Sequence, residues 1–321
     1  SIVNVDTLLS NLESWIELTA ELRNRLQVLI GEQDYRDRID WATREQNAGM
    51  FLHSAPLNVG DQLKRDLFEK KESVVLTSGT LTTGGTFDFI RDRLGLDEVE
   101  ELSVGSPFDY QRSALLAVAN DIPEPGSRDY RQVLEKGLAS IVMESGGHMM
   151  ALFTSHAALR SARDALIETV EPLGIPVIAQ GIDGPPHRVL ERFASQPHSV
   201  LLGSSSFWEG VDVPAGTLKV LVLARLPFNV PTEPAFAARS ELYEDPFGQH
   251  AVPHAILRFR QGFGRLIRHT KDRGAVVVLD RRVLSRSYGR TFLGSLPSCT
   301  FRESPLSGIP QMVGQWLRTA P

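Results

Sequence analysis

Between residues 149 and 280 one pattern recurs: a short apolar run without polar alternation, a small-residue turn, then an amphipathic stretch. The runs are "MMALFTS" (149–155), "IPVIAQG" (175–181), "SVLLG" (199–203), "LKVLVLARLPF" (218–228) and "GAVVVLD" (274–280). A strand with no polar side is covered on both faces, as in a parallel sheet. The intervening stretches 156–174, 185–195 and 252–270 carry helical periodicity and supply the crossovers. The expected class is therefore α/β, an open parallel sheet with helices on both faces and ligands beyond the carboxyl ends of its strands.

Upstream, Leu8, Leu12, Trp15, Leu18, Leu22, Leu26 and Leu29 recur at steps of three and four, so residues 7–30 read as an amphipathic helix that needs a surface to pack against. "DYRDRIDWATRE" and "GMFLHSAPL" read as short strands, Pro56 opens a helical stretch, and "SVVLTSGTL" (73–81) reads as a buried strand ending in a turn. No apolar run approaches the ~20 residues of a membrane span. One cysteine, Cys299, excludes an internal disulfide and any cysteine-ligated metal site held by this chain alone, and points to a reducing cytoplasm. "SIVNVDTLLSNLESW" lacks an initiator Met, a basic region and a cleavage signal, so a cut within a longer chain is expected there rather than a targeting segment.

The formal net charge is −5, yet residues 251–302 hold eleven Lys or Arg against Asp272 and Asp280, which makes that segment +9 and leaves −14 elsewhere. An anionic partner belongs near this segment; a solvated basic face is the plainer alternative. Within it lies "RQGFGRLIR" (260–268). Read as a helix at ~100° per residue, it brings Gln261, Arg265 and Arg268 onto one polar stripe. Ile256, Phe259, Phe263 and Leu266 then fall on the opposite side, and Gly264 lies beside the stripe, where another backbone or a ligand can approach closely. Two guanidiniums one turn apart suit phosphate oxygens. Surface pairing with carboxylates fits the same spacing.

"QGFGRLIR" resembles motif VI of superfamily 2 helicases, and "RQGFGRLIRHTKDRGAVVVLDRR" resembles the DinG branch of the DinG/XPD helicases. "VVLTSGTL" is similar to the motif III region, "ALFTSHAAL" to motif IV, "IAQG" to the small motif after it, and "GSSSFWEGVDVPA" to motif V. "ARLPFNVPTEPAFAAR" is similar to the proline-rich segment between motifs V and VI, so the ordered matches cover residues 73–282. The resemblance implies a RecA-like (P-loop NTPase-like) domain over 106–321, preceded by the remnant of a first helicase domain over 31–105. The helix of 1–30 resembles the return from an inserted arch.

The resemblance further implies that Arg268 and Arg265 act as arginine fingers on ATP, with Gln261 linking nucleotide state to domain closure. It makes Glu209, Asp212 and Gly264 candidates for nucleotide contact. Thr154 and Ser155 of motif IV, with Ser204, Ser205 and Ser206 of motif V, become candidates for holding a DNA backbone; a helix cap is the plainer role for Ser155. Thr77, Ser78, Gly79 and Thr80 resemble the segment that couples hydrolysis to strand movement. Phe207 and Trp208 read as core residues rather than stacking platforms.

The chain has no Gly-Lys pair, hence no G-x-x-x-x-G-K-[ST] phosphate loop, and no D-E-A-H; its one Asp-Glu pair, Asp97–Glu98, reads as acidic surface. The expectation is the C-terminal portion of an ATP-dependent 5′ to 3′ DNA helicase that meets single-stranded or forked DNA. ATP and Mg²⁺ are expected on a first domain in cis, with no metal site and no ATPase in this chain alone. Self-association through the uncovered neighbours of "SVVLTSG" is expected. A nucleic-acid or protein-binding module with an unused helicase surface is the alternative, and a glycosyltransferase-like domain a distant third.

Overall fold

The computed structural model describes residues 5–30, 37–45, 49–196, 198–204, 207–208, 213 and 216–319. Strands are β1 (Arg38–Glu45), β2 (Gly49–Pro56), β3 (Ala114–Ala119), β4 (Met149–Leu152), β5 (Val177–Ala179), β6 (Val200–Gly203), β7 (Val220–Leu223), β8 (Gly274–Val278) and β9 (Thr300–Ser304). Helices in the first half are α1 (Val5–Ile30), α2 (Gly60–Asp66), α3 (Asp88–Leu94), α4 (Tyr110–Ser113), α5 (Tyr130–Ser145) and α6 (His156–Val170). Those that follow are α7 (Pro186–Ser195), α8 (Pro234–Ser240), α9 (Val252–Phe263), α10 (Arg282–Ser285), α11 (Gly289–Gly294) and α12 (Ile309–Arg318). The chain divides into two compact units, residues 1–74 with 92–96 and 230–246, and residues 75–91 with 97–229 and 247–321.

In the smaller unit β1 and β2 form the antiparallel hairpin read from the sequence, pairing Arg38 with Pro56 and Glu45 with Gly49. Trp41 and His53 face each other across it, their rings stacked at 4.9 Å. Arg239 of α8 donates a hydrogen bond to the Pro56 carbonyl at 3.1 Å. The periodic helix is α1, but its apolar stripe is solvent-exposed from Leu8 to Leu26, Trp15 by 65%.

The larger unit holds a seven-stranded parallel sheet in the order β5-β6-β4-β7-β8-β3-β9. Alternate residues feed opposite faces. Leu115, Met149, Leu202, Val222 and Val277 pack with α5, α6 and α12 on one face; Leu116, Leu152, Leu201, Leu221 and Val276 pack with Phe193 and Phe259 on the other. This is the two-faced burial that the unalternated runs require. Strand β9 is exposed along its middle, as an edge strand can be.

The apolar run at 73–81 is a correction: it forms no strand, and Val75 is 85% exposed. Apolar content makes a strand only where a neighbour takes its backbone hydrogen bonds, and among the described residues none pairs with it. At the other extreme, Gly274 opens β8 under Leu266, where an added Cβ would come within 2.5 Å of the Leu266 Cδ1 and 2.6 Å of the Lys219 carbonyl oxygen. The Gly274 carbonyl also accepts the Trp316 indole N–H of α12 at 2.9 Å. Gly274→Ala is therefore expected to cost about 1–3 kcal/mol by overpacking, read as a lower urea midpoint; an unchanged midpoint would refute the tight contact.

Candidate nucleotide and nucleic-acid site

Helix α9 ends at Phe263, so Arg265 and Arg268 lie in the loop beyond it and the single helical stripe expected from Gln261 to Arg268 is not formed. Gly262 and Gly264 each weaken a helix by ~1 kcal/mol. The Asp272 carboxylate accepts the Arg268 and His269 amides at 2.8 Å each, an alternative to helical pairing. Leu266 and Ile267, both buried, turn into the core between these points. Only Gln261 stays on the helix. Its side-chain Oε1 is buried with no hydrogen-bond partner among the described residues, and such an atom asks for an explanation. Arg265 is 7% exposed and Arg268 half-buried.

A Cβ on Gly262 would lie 3.5 Å from the Trp208 indole, in ordinary van der Waals contact, and one on Gly264 3.4 Å from the Arg260 carbonyl oxygen within the same turn. Trp208 is buried, and its Nε1 donates to the Phe153 carbonyl at the end of β4, 3.2 Å away. One indole thus fastens the segment after β6 to the end of β4 and to α9. Phe207 folds back over Gly203, which has no Cβ to obstruct it. Both aromatics are core, as their composition suggested.

Thr154 is half-buried and Ser155 exposed at the end of β4, and the Ser155 hydroxyl caps α6 by accepting the Ala158 amide at 3.2 Å. Ser204, at the end of β6, is buried: its amide and hydroxyl both donate to Gln180 Oε1, at 2.7 and 3.1 Å. Its hydroxyl also lies 3.3 Å from His156 Nε2. The ends of β4, β5 and β6 are tied together by these three side chains. Ser205, Ser206, Glu209 and Asp212 lie outside the described residues.

Thr77, Ser78 and Gly79 are exposed and Thr80 half-buried, in a turn where Ser78 Oγ accepts the Thr80 amide at 3.2 Å. Arg260 reaches this segment from α9. Its guanidinium donates to the Thr82 carbonyl, to Thr82 Oγ1 at 2.9 Å and to the Gly79 carbonyl at 3.4 Å, and burial lowers its pKa from the ordinary arginine value. Arg260 and Gln180 were not singled out by sequence reasoning. Arg260 stands next to Gln261 but ~100° round the helix, outside the stripe that drew attention, and Gln180 gains its role only when β5 and β6 pair.

Among the described residues no group of three His, Cys, Asp or Glu side chains comes together.

Residues 138–299 match the helicase C-terminal domain family. The chain is 37% identical over 250 residues to the ATP-dependent DNA helicase YoaA of Escherichia coli, covering 77% of this chain and 39% of that protein. It is 36% identical over 262 residues to a Bacillus subtilis protein named 3′-5′ exonuclease DinG, covering 78% and 28%. To the ATP-dependent helicase DinG of Mycobacterium tuberculosis it is 37% identical over 275 residues, covering 82% and 40%. The chain therefore spans well under half the length of these relatives. Among solved structures, an apo XPD matches with a TM-score of 0.60 at 16% identity, over 92% of this chain and 59% of that one. An Xpd4 structure from S. tokodaii matches with a TM-score of 0.52 at 21% identity, over 79% and 49%. At such identities these likenesses speak for the fold alone, an α/β RecA-like fold.

Proposed function

The chain belongs to the helicase C-terminal domain family, in its DinG branch, and from that premise we propose that it is the second RecA-like half of an ATP-dependent 5′ to 3′ DNA helicase. ATP and its magnesium are held by a first helicase domain in cis, to which residues 31–105 contribute the end. Arg265 and Arg268 meet the transferred phosphoryl group, whose developing charge fixed guanidiniums stabilise. Gln261 contacts the nucleotide and reports its state. The strand ends at Thr154, Ser155 and Ser204 border the track of single-stranded or forked DNA, which a positively charged, sequence-blind surface holds by its phosphates.

The observation that most supports this reading is Gln261: a buried amide oxygen without a partner among the described residues, on the last turn before two arginines. A ligand atom would complete it. Ser204 supports the DNA role indirectly, because its hydroxyl is committed to Gln180 and so fixes the carboxyl end of β6.

Two measurements on the chain alone test the proposal. Binding to single-stranded DNA without nucleotide is expected, with log K falling in proportion to log salt at about 0.7 per phosphate neutralised. DNA-stimulated ATP hydrolysis is not expected, since neither phosphate loop nor magnesium carboxylates occur in the sequence. Robust turnover would overturn the division of labour, and salt-insensitive binding or none would overturn the DNA track.

A further inference from the structure

The chemistry at the carboxyl edge of the sheet continues beyond the ends of β6 and β4. Strand β7 lies beside β4, and β8 beside β7. At the usual ~4.8 Å strand spacing, the segments leaving β7 and β8 emerge within about 10 Å of the end of β4. They carry Arg225 and Phe228 from β7, and Asp280, Arg281 and Arg282 from β8.

These segments build an aromatic step with a cationic border. Phe247 is 49% exposed, yet its ring lies stacked on Phe228 with centroids 5.5 Å apart and planes 24° off parallel. Tyr288 supports both rings edge-on at 5.4 Å. Phe247 rides on a π-helical turn, Pro246–Ala251, a rare backbone form that concentrates at functional sites. Beneath it Phe228 is fixed by Arg282, whose guanidinium lies 5.8 Å from the ring centroid. Arg282 is held in turn by Asp280, which is fully buried and accepts from Arg282 Nη2 at 2.6 Å and from the Leu226 amide at 2.9 Å.

At the border, Arg281 and Arg286 converge on one carboxylate, Glu124, at 3.9 and 2.9 Å, each keeping a large exposed surface. Two guanidiniums sharing one carboxylate leave a positive charge beside an upturned aromatic face. Single-stranded nucleic acid is recognised by that combination, stacking for the base and cations for the backbone. Among the described residues after β4 and β6, the aromatic side chains of Phe207 and Trp208 are buried and offer no stacking face.

We infer that Phe247, carried on Phe228 and Tyr288, is a stacking step for a base of single-stranded DNA, with Arg281 and Arg286 taking the adjoining phosphates. The inference rests on the single-strand track proposed above and extends it from β6 and β4 onto β7 and β8.

The test compares a labelled oligothymidylate with an oligomer of equal length whose central nucleotides are abasic, by fluorescence anisotropy at several salt concentrations. Unmodified protein is expected to prefer bases by roughly tenfold, the scale of one stacking contact. Phe247→Ala should remove that preference and leave the salt slope unchanged; Phe247→Trp should keep it. Changing Arg281 and Arg286 together to Gln should weaken both oligomers and reduce the slope by about 1.4, two phosphates' worth. A base preference that survives in Phe247→Ala overturns the stacking step while leaving the track intact. Failure of the unmodified protein to bind either oligomer overturns both.

Discussion

Replacing Arg268 by Ala in the full-length protein is expected to lower ATP turnover by about a thousandfold or more, with single-strand affinity within a few-fold of the original. The loop around Arg268 is set by its backbone, since the Asp272 carboxylate holds the Arg268 and His269 amides at 2.8 Å. Truncating a half-buried side chain leaves those bonds in place. The loss should therefore appear in kcat, the mark of an interaction made in the transition state. Turnover kept near the original level would remove Arg268 from the phosphoryl-transfer role. Asp272→Ala makes a useful companion: it leaves both arginines in the sequence but frees the loop that carries them, so partial loss is expected.

Trp208→Ala should destabilise the larger unit by about 3–5 kcal/mol, the usual range for emptying a buried tryptophan site. Trp208 is buried, donates to the Phe153 carbonyl and lies against the bare face of Gly262. Its loss opens a cavity where the segment after β6, the end of β4 and helix α9 meet, and no neighbouring side chain is on hand at Gly262 to collapse into the space. Urea unfolding followed by circular dichroism measures the cost. Trp208→Phe keeps most of the packing and drops the indole hydrogen bond, so about 1 kcal/mol is expected. If the Ala and Phe variants unfold at the same denaturant concentration, the indole does not serve as the junction.

Much of the sheet was legible because β4 to β8 are covered on both faces, and an apolar run without alternation has few other uses. Strand β9 gave no such signal, for an edge strand may keep polar residues in its middle. The end of α9 depends on Asp272 reaching back to two amides and on Leu266 finding room over Gly274. A helical wheel drawn from Gln261 onward contains neither. Likewise Gln180 reads as an ordinary polar residue until the pairing of β5 with β6 presents it to Ser204. Of the candidate site, the order of segments was readable, whereas the division of labour among neighbouring side chains awaited their placement in space.

Arg260 and Gln261 are consecutive on the last turn of α9. The first is bolted by its guanidinium to the carbonyls of Gly79 and Thr82, and the second holds its buried amide oxygen ~100° further round the same turn. A rigid turn cannot rotate one of them and leave the other still. In mechanical language the pair is a crank with no linkage between its arms: a displacement of the 79–82 segment and a displacement of the amide are one motion of one turn.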